Sequence, residues 1–254
     1  MKRLLTAVIL APSIGYIVLA GPGWLFSLVV AAIAMFCFAE YSTIVESQGI
    51  PRPGVIGYGA GLTLLFLQQS ELIFLVVFAL CAMALAMRLG DLSKALPYVG
   101  ALVLGVVYIF GAWRFAGLLR EQSPHWLFYA LALNWIGDTA AYYTGSKFGK
   151  RRLAPVISPK KSVEGAVASL LASLAFGIPY LHYFLPAVPP AEAVALTAGA
   201  NLAGQLGDLA ESALKRGAGV KDSGSSLPGH GGWLDRVDSS LFTMPAVYLY
   251  LWRA

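Results

Sequence analysis

The chain has 254 residues, of which 58% are hydrophobic and only 12% charged, and its mean hydropathy is +0.70. A soluble domain of this length carries about 45–50% apolar and ~25% charged residues, which excludes an ordinary water-soluble fold. The formal net charge of +5 is gathered in a few polar segments, and the period-2 alternation of a transmembrane barrel is absent.

Apolar runs recur along the chain, each near the ~20 residues that a helix needs to cross a bilayer. They predict an all-α fold, a polytopic transmembrane helical bundle of about nine spans. In chain order these lie at 4–20, 24–40, 54–68, 71–88, 95–113, 124–144, 162–182, 190–207 and 239–252. Breakers separate them: Gly21-Pro22-Gly23, Pro51-Arg52-Pro53, Ser123-Pro124, and Pro186 with Pro189-Pro190. Lys2 and Arg3 ahead of the first run imitate a signal peptide, but the second run follows at once, so a retained first helix is expected. Residues 1–254 are expected to form a single integral-membrane domain, with N-terminal spans in 1–120 and the chemistry in 121–254. Cys37 and Cys81 both lie inside apolar runs and read as small buried hydrophobes rather than a disulfide or metal pair. Trp24, Trp113, Trp126 and Trp252 fall near span ends, as an aromatic belt would. His125 and His182 lie near outer span ends and read as interfacial packing.

Orientation follows from the basic residues. With a cytoplasmic N-terminus, nine spans put fifteen of the eighteen Lys and Arg on the inner side and leave Arg114, Arg120 and Arg253 outside. Both long polar loops, 145–161 and 217–238, then face the cytoplasm. Their bases also suit simple topology setting and contact with anionic headgroups.

Two regions carry more charge than topology requires. In span six, Asn134, Asp138 and Tyr142 share one helical face, and an aspartate at membrane depth is costly unless it meets protein, water or a cation. The chain continues through Lys147 and Lys150-Arg151-Arg152 to Ser158-Pro159-Lys160-Lys161-Ser162. Ser158 or Ser162 is placed to cap span seven or to meet a phosphate, and Glu164 suits that helix N-terminus. At the end of span eight, Asp208, Glu211, Ser212 and Lys215 follow i, i+3, i+4, i+7 spacing and share a face. An internal salt bridge is the plainer reading of that face.

The loop that follows weakens the plainer reading. It holds Gly217, Gly219, Gly224, Gly229, Gly231 and Gly232, which allow backbone amides to turn toward an anion. Lys215, Arg216, Lys221 and Arg236 supply the positive charge that phosphates require. Asp208, Asp222, Asp235 and Asp238 supply the hard oxygens that Mg²⁺ prefers. Such parts make up a phosphoryl- or nucleotidyl-transfer site. His230, between Gly229 and Gly231, suits a proton donor, a phosphate ligand or a turn equally well.

Ser212 to Asp238 resembles the signature of the phosphatidate cytidylyltransferases, also called CDP-diacylglycerol synthases. The matching residues are Ser212, Leu214, Lys215-Arg216, Lys221-Asp222, Gly224, Leu227-Pro228, His230-Gly231-Gly232, Trp233, Asp235-Arg236, Val237 and Asp238. Trp233 is the one loose match, since an aliphatic residue or Phe is more usual there. Asp138 to Gly165 is similar to the family's other charged region, and together the two cover roughly a quarter of the chain.

The resemblance implies transfer of CMP from CTP to phosphatidate, with release of pyrophosphate. It implies a nine-helix bundle, a homodimer, and a cytoplasmic-facing site dependent on Mg²⁺, with K⁺ sharing the centre. It points to Asp208 and Asp235 as metal carboxylates, and to Lys215, Arg216, Lys221, Asp222, His230, Arg236 and Asp238 as catalytic. Substrate contacts are expected from Asp138, Lys147, Lys160, Lys161, Ser162, Glu164, Glu211, Ser212, Gly231 and Gly232. The implied partners are CTP, phosphatidate and the bilayer, not nucleic acid, and the implied location is the cytoplasmic (inner) membrane of a bacterium.

Two rivals follow from the same residues. A CTP-dependent lipid kinase would share a similar scaffold but transfer the γ-phosphate, and a transporter would place polar residues near the midplane. The D-G-x2-A-R pattern of CDP-alcohol phosphatidyltransferases is missing. Gly145 to Arg151 reads GSKFGKR and lacks the spacing of a Walker loop.

Overall fold

The structure is a computed structural model that describes residues 12–226 and 231–253. Helix α1 covers residues 12–19; α2 is Gly23–Ser47, α3 Gly54–Phe66 and α4 Glu71–Ala86. Helix α5 runs over Leu92–Gln122, opening on a 3₁₀ turn and widening to a π-turn at Val106–Gly111. Helices α6 (Pro124–Phe148), α7 (Val163–Phe184), α8 (Pro190–Gly217) and α9 (Leu234–Arg253) complete the described helices. The chain is thus mostly helical, as expected. Among the described residues three helices, α2, α5 and α7, are long and apolar enough to cross a membrane, and α3 and α4 are shorter apolar helices.

Local chemistry accounts for several boundaries. Ser123 accepts a hydrogen bond from the His125 amide ahead of Pro124, which opens α6 with the ring's fixed φ. Ser162 accepts from the Gly165 amide at 3.1 Å and caps α7. Within the expected loop 145–161 the chain instead forms an antiparallel hairpin of β1 (Arg152–Ala154) and β2 (Ser158–Ser162). The Glu164 carboxylate accepts from the amides of Lys150 and Arg151, tying the approach to β1 onto the start of α7. Helix α8 passes the expected end at 207 and continues to Gly217.

The described chain divides into two compact units. One joins the described residues before Ser27 with Phe115–Ala213 and the segment from Val237 onward. Its interior is a ladder of paired polar side chains. Asn134 on α6 donates to Ser240 and accepts from Thr243 on α9, while Asn201 on α8 donates to Ser169 and Ser173 on α7. Gln205 donates to Asn201, and Tyr129 bonds Thr197. Lipid offers no hydrogen bonds, so polar residues crossing a bilayer helix interface pair with one another.

The other unit joins Ser27–Arg114 and Leu214–Arg236. Its centre is aromatic: Phe38 lies against Tyr58 and Phe110 at ring separations of 4.9 and 5.4 Å. Tyr41 donates to the Ala101 carbonyl.

Two expectations from composition need correction. Trp24 and Trp252 are exposed, but Trp113 and Trp126 are buried and pack inside the protein instead of forming a belt. Cys37 is buried as expected; Cys81 is exposed, and the two are not joined in a disulfide. The expected first span, 4–20, lies partly outside the described residues.

Asn201→Leu removes both serine bonds and the acceptor of Gln205. A loss of about 1–2 kcal/mol is expected, measured as a lower melting temperature in detergent with helical content retained. An unchanged melting temperature would show that the ladder contributes nothing.

Candidate active site

Each unit holds one part of the charged constellation. In the second unit α8 ends in a Schellman turn: the Val220 amide bonds the Lys215 carbonyl and the Gly219 amide bonds that of Arg216. Gly219 has φ +71°, a conformation that costs glycine little. The chain beyond the turn brings Ser223, Gly232 and Asp235 back beside Lys215.

Asp235 is the organiser of that return. Its Oδ1 takes the Lys215 ammonium, and its Oδ2 accepts from the amides of Ser223 at 3.0 Å and Gly232 at 2.8 Å. Both partners of the ion pair are buried. Burial alone would raise the Asp235 carboxyl, but the Lys215 bond and charge and the two amides outweigh it and hold the group below the ordinary carboxylate range. Gly231, with φ +79°, shapes the approach to Gly232.

A residue outside every motif completes this loop. Glu40 on α2 is buried and accepts from four donors: the Ser226 hydroxyl and Trp233 amide at Oε1, the Ser223 hydroxyl and Leu234 amide at Oε2. One helical turn earlier, Phe36 stacks on the Trp233 ring at 5.6 Å. The loose match at Trp233 is therefore an anchor in this chain. A signal for Glu40 was present: it is the only charged residue between Arg3 and Glu46, and a lone acid in an apolar run is costly without partners.

In the first unit the acids gather. Burial, the charges of Asp208 and Glu211, and more weakly Asp138, push the Asp238 carboxyl well above its ordinary range. Asp238 precedes the apolar run that begins at Ser239. Glu211 and Ser212 are buried, and the Ser212 hydroxyl faces Asp208 at 3.4 Å. Strand β2 brings Lys161 onto Asp208 as an ion pair. Among the described residues no three His, Cys, Asp or Glu side chains form a metal cage by themselves. Mg²⁺ commonly takes only one or two carboxylates together with substrate phosphates. A hard-oxygen donor set under mutual repulsion, next to one ammonium, fits such a cation.

The remaining expected residues divide by exposure. Arg216, Lys221, Asp222 and Arg236 are exposed around the loop of the second unit, with Arg216 donating to the Val220 carbonyl. Lys147, Lys160 and Asp138 are exposed in the first unit. Ser162 serves as the α7 cap, and Glu164 holds the hairpin as described above. Lys215 pairs with Asp235 across the loop. His230 lies outside the described residues.

The family described as the cytidylyltransferase family matches residues 1–253. A protein of Bacillus subtilis (strain 168) named phosphatidate cytidylyltransferase is 34% identical over 263 residues, covering 98% of this chain and 97% of its own. Proteins of the same name from Staphylococcus aureus (strain COL) and Staphylococcus haemolyticus (strain JCSC1435) are each 40% identical over 149 residues, covering 59% of this chain and 57% of their own. The chain belongs to the cytidylyltransferase family.

Asp235→Asn weakens the Lys215 bond and is expected to cost about 1.5–3 kcal/mol. Because the Asp235 value is lowered on folding, its stabilisation is complete above the unfolded value of about 3.9 and fades as pH falls through the folded one. The melting-temperature gap between wild type and variant should therefore be full above about pH 4 and close below it. A gap independent of pH would contradict this assignment.

Proposed function

We propose that this chain is a membrane-embedded phosphatidate cytidylyltransferase: CTP and phosphatidate yield CDP-diacylglycerol and pyrophosphate. The observation that carries the reading is the Lys215–Asp235 loop with its surrounding bases, within a chain related over almost its whole length to a protein of that name.

In the proposed reaction a phosphate oxygen of phosphatidate attacks the α-phosphorus of CTP. A new P–O bond to the lipid phosphate forms as the bond from Pα to the bridging oxygen breaks, and that oxygen leaves with pyrophosphate. A phosphate monoester is already an anionic nucleophile at neutral pH, so neither a strong general base nor a covalent enzyme intermediate is needed. Arg216, Lys221 and Arg236, exposed about the loop, neutralise the triphosphate and the charge that grows on the departing oxygen. Lys215 adds charge from the buried side and fixes Asp235.

Mg²⁺ would be held by Asp208 with Asp238 and Glu211 as neighbours, and when bound supplies charge neutralisation for the phosphates. Asp235, whose oxygens already take Lys215 and two amides, orders the loop in this reading. A K⁺ ion beside the Mg²⁺ and a homodimeric assembly are further parts of it. For the lipid, the first unit offers a groove of about 470 Å³ lined by Thr144, Arg151 and Glu164 together with Val163, Val167 and Leu171. A phosphate headgroup above acyl chains requires that mixture of polar and apolar wall.

The reading places about nine spans in the bacterial inner membrane, with the N-terminus and the site on the cytoplasmic side. It is supported by the fifteen-to-three division of basic residues.

The test uses purified protein in mixed micelles with phosphatidate, Mg²⁺ and CTP labelled at the α- or the γ-phosphate. Label from the α position is expected in lipid, and γ-label in pyrophosphate. Transfer of γ-label to an alcohol-bearing lipid would instead make the protein a kinase, and no transfer of either label would reopen the transporter reading. Asp208→Asn should raise the Mg²⁺ concentration for half-maximal rate at least fivefold; an unaltered Mg²⁺ dependence removes Asp208 from the metal.

A further inference from the structure

Glu40 presents an arrangement that the reaction itself does not require and that packing does not explain. A carboxylate buried in an apolar helix is normally replaced at no loss by a hydrophobic side chain unless its donors are also buried. Here the donors are all in one segment. Two serine hydroxyls and two successive backbone amides, all within 2.9–3.0 Å, converge on its two oxygens. An ionised carboxylate accepts at both oxygens; a glutamine offers one acceptor and turns an NH₂ toward the rest.

The fit is also steric. A Cβ at Gly224 would meet the Glu40 Oε1 at 2.8 Å, and one at Gly232 would meet Oε2 at 2.2 Å and the Ser223 hydroxyl at 2.2 Å. These glycines leave room for the acid head. Ser223 links the two carboxylates of the loop: its hydroxyl donates to Glu40 while its amide donates to Asp235. Gly232 gives its amide to Asp235 and the next residue gives its own to Glu40. Moving Glu40 therefore moves the donors that aim Asp235 at Lys215.

We propose that Glu40 is a positioning residue for cytidylyl transfer, holding residues 223–226 and 231–235 in the register that fixes the Lys215–Asp235 pair. The inference rests on the activity assigned above, but its structural half is independent of it. Glu40 touches no substrate in this account; it acts through Ser223, Trp233 and Leu234.

The experiment compares Glu40→Gln, Glu40→Asp and Glu46→Gln with wild type in detergent. Glu46 is an exposed acid on the same helix, paired with Arg52, and serves as the control. Amide exchange at residues 223–226 and 231–236 is expected to quicken at least tenfold in Glu40→Gln and to stay at the wild-type rate in Glu46→Gln. In the transfer assay Glu40→Gln should lower kcat at least tenfold, with KM for phosphatidate within threefold. Glu40→Asp, which keeps two acceptors, should recover part of both. Gly224→Ala should lower kcat in the wild-type background and add nothing to Glu40→Ala, because the atom it meets is then gone.

Exchange and kcat in Glu40→Gln both within twofold of wild type would overturn the proposal. So would a loss shared equally by Glu46→Gln, or one that Glu40→Asp fails to relieve while the whole protein melts early. If wild type itself moves no α-label into lipid, the cytidylyltransferase reading fails, and the exchange contrast still decides whether Glu40 sets the loop.

Discussion

Burying a carboxylate in hydrocarbon costs several kcal/mol unless donors replace the lost water, and the C-terminal loop is arranged around that requirement. Glu40 provides four acceptor positions where helix α2 carries no other charge before Glu46, and the loop supplies four donors from hydroxyls and main-chain amides. Much of the loop's composition follows. Small residues at 223, 224 and 232 let the backbone approach the acid, and Trp233 lies flat on Phe36 beside it. Asp235 repeats the same logic at shorter range, with one ammonium and two amides as its donors.

The other unit solves the opposite problem. Its ladder of Asn, Ser, Thr and Gln pairs neutral groups that satisfy one another. The acids around Asp238 do not satisfy it: burial, Asp208, Glu211 and more weakly Asp138 raise the cost of charging its carboxyl. One lysine on β2 meets part of that charge. The contrast separates a scaffold whose polar groups are closed among themselves from a cluster of acids gathered about one buried carboxyl.

Much of this was legible in the sequence because it rests on local rules. Hydropathy located the helices, Ser162 capped α7 as its position before Val163 suggested, and the signature named Lys215 and Asp235. Their direct pairing was not expected, since helix spacing pointed Lys215 toward Asp208 and Glu211. The hairpin at 152–162 was missed because its two strands are short and carry no alternating pattern. Glu40 was missed for a different reason: its donors lie 183 to 194 residues away, and no periodicity reaches that far. The burial of Trp113 and Trp126 shows the same limit, since a belt tryptophan and a core tryptophan look alike at a span end.

The long separation between Glu40 and its donors has a consequence for synthesis. A ribosome adding about 5–20 residues per second delivers Ser223 to Leu234 roughly ten to forty seconds after Glu40 has left the tunnel's source of new chain. Through that interval helix α2 carries an acid with none of its eventual partners made. The nascent protein must lodge that group near water, or beside another protein's donors, until about the last eighth of the chain arrives. The signature loop is thus a late closure on an early helix, and a chain cut short before residue 223 leaves the membrane with an unmet acid, a ready mark for quality control.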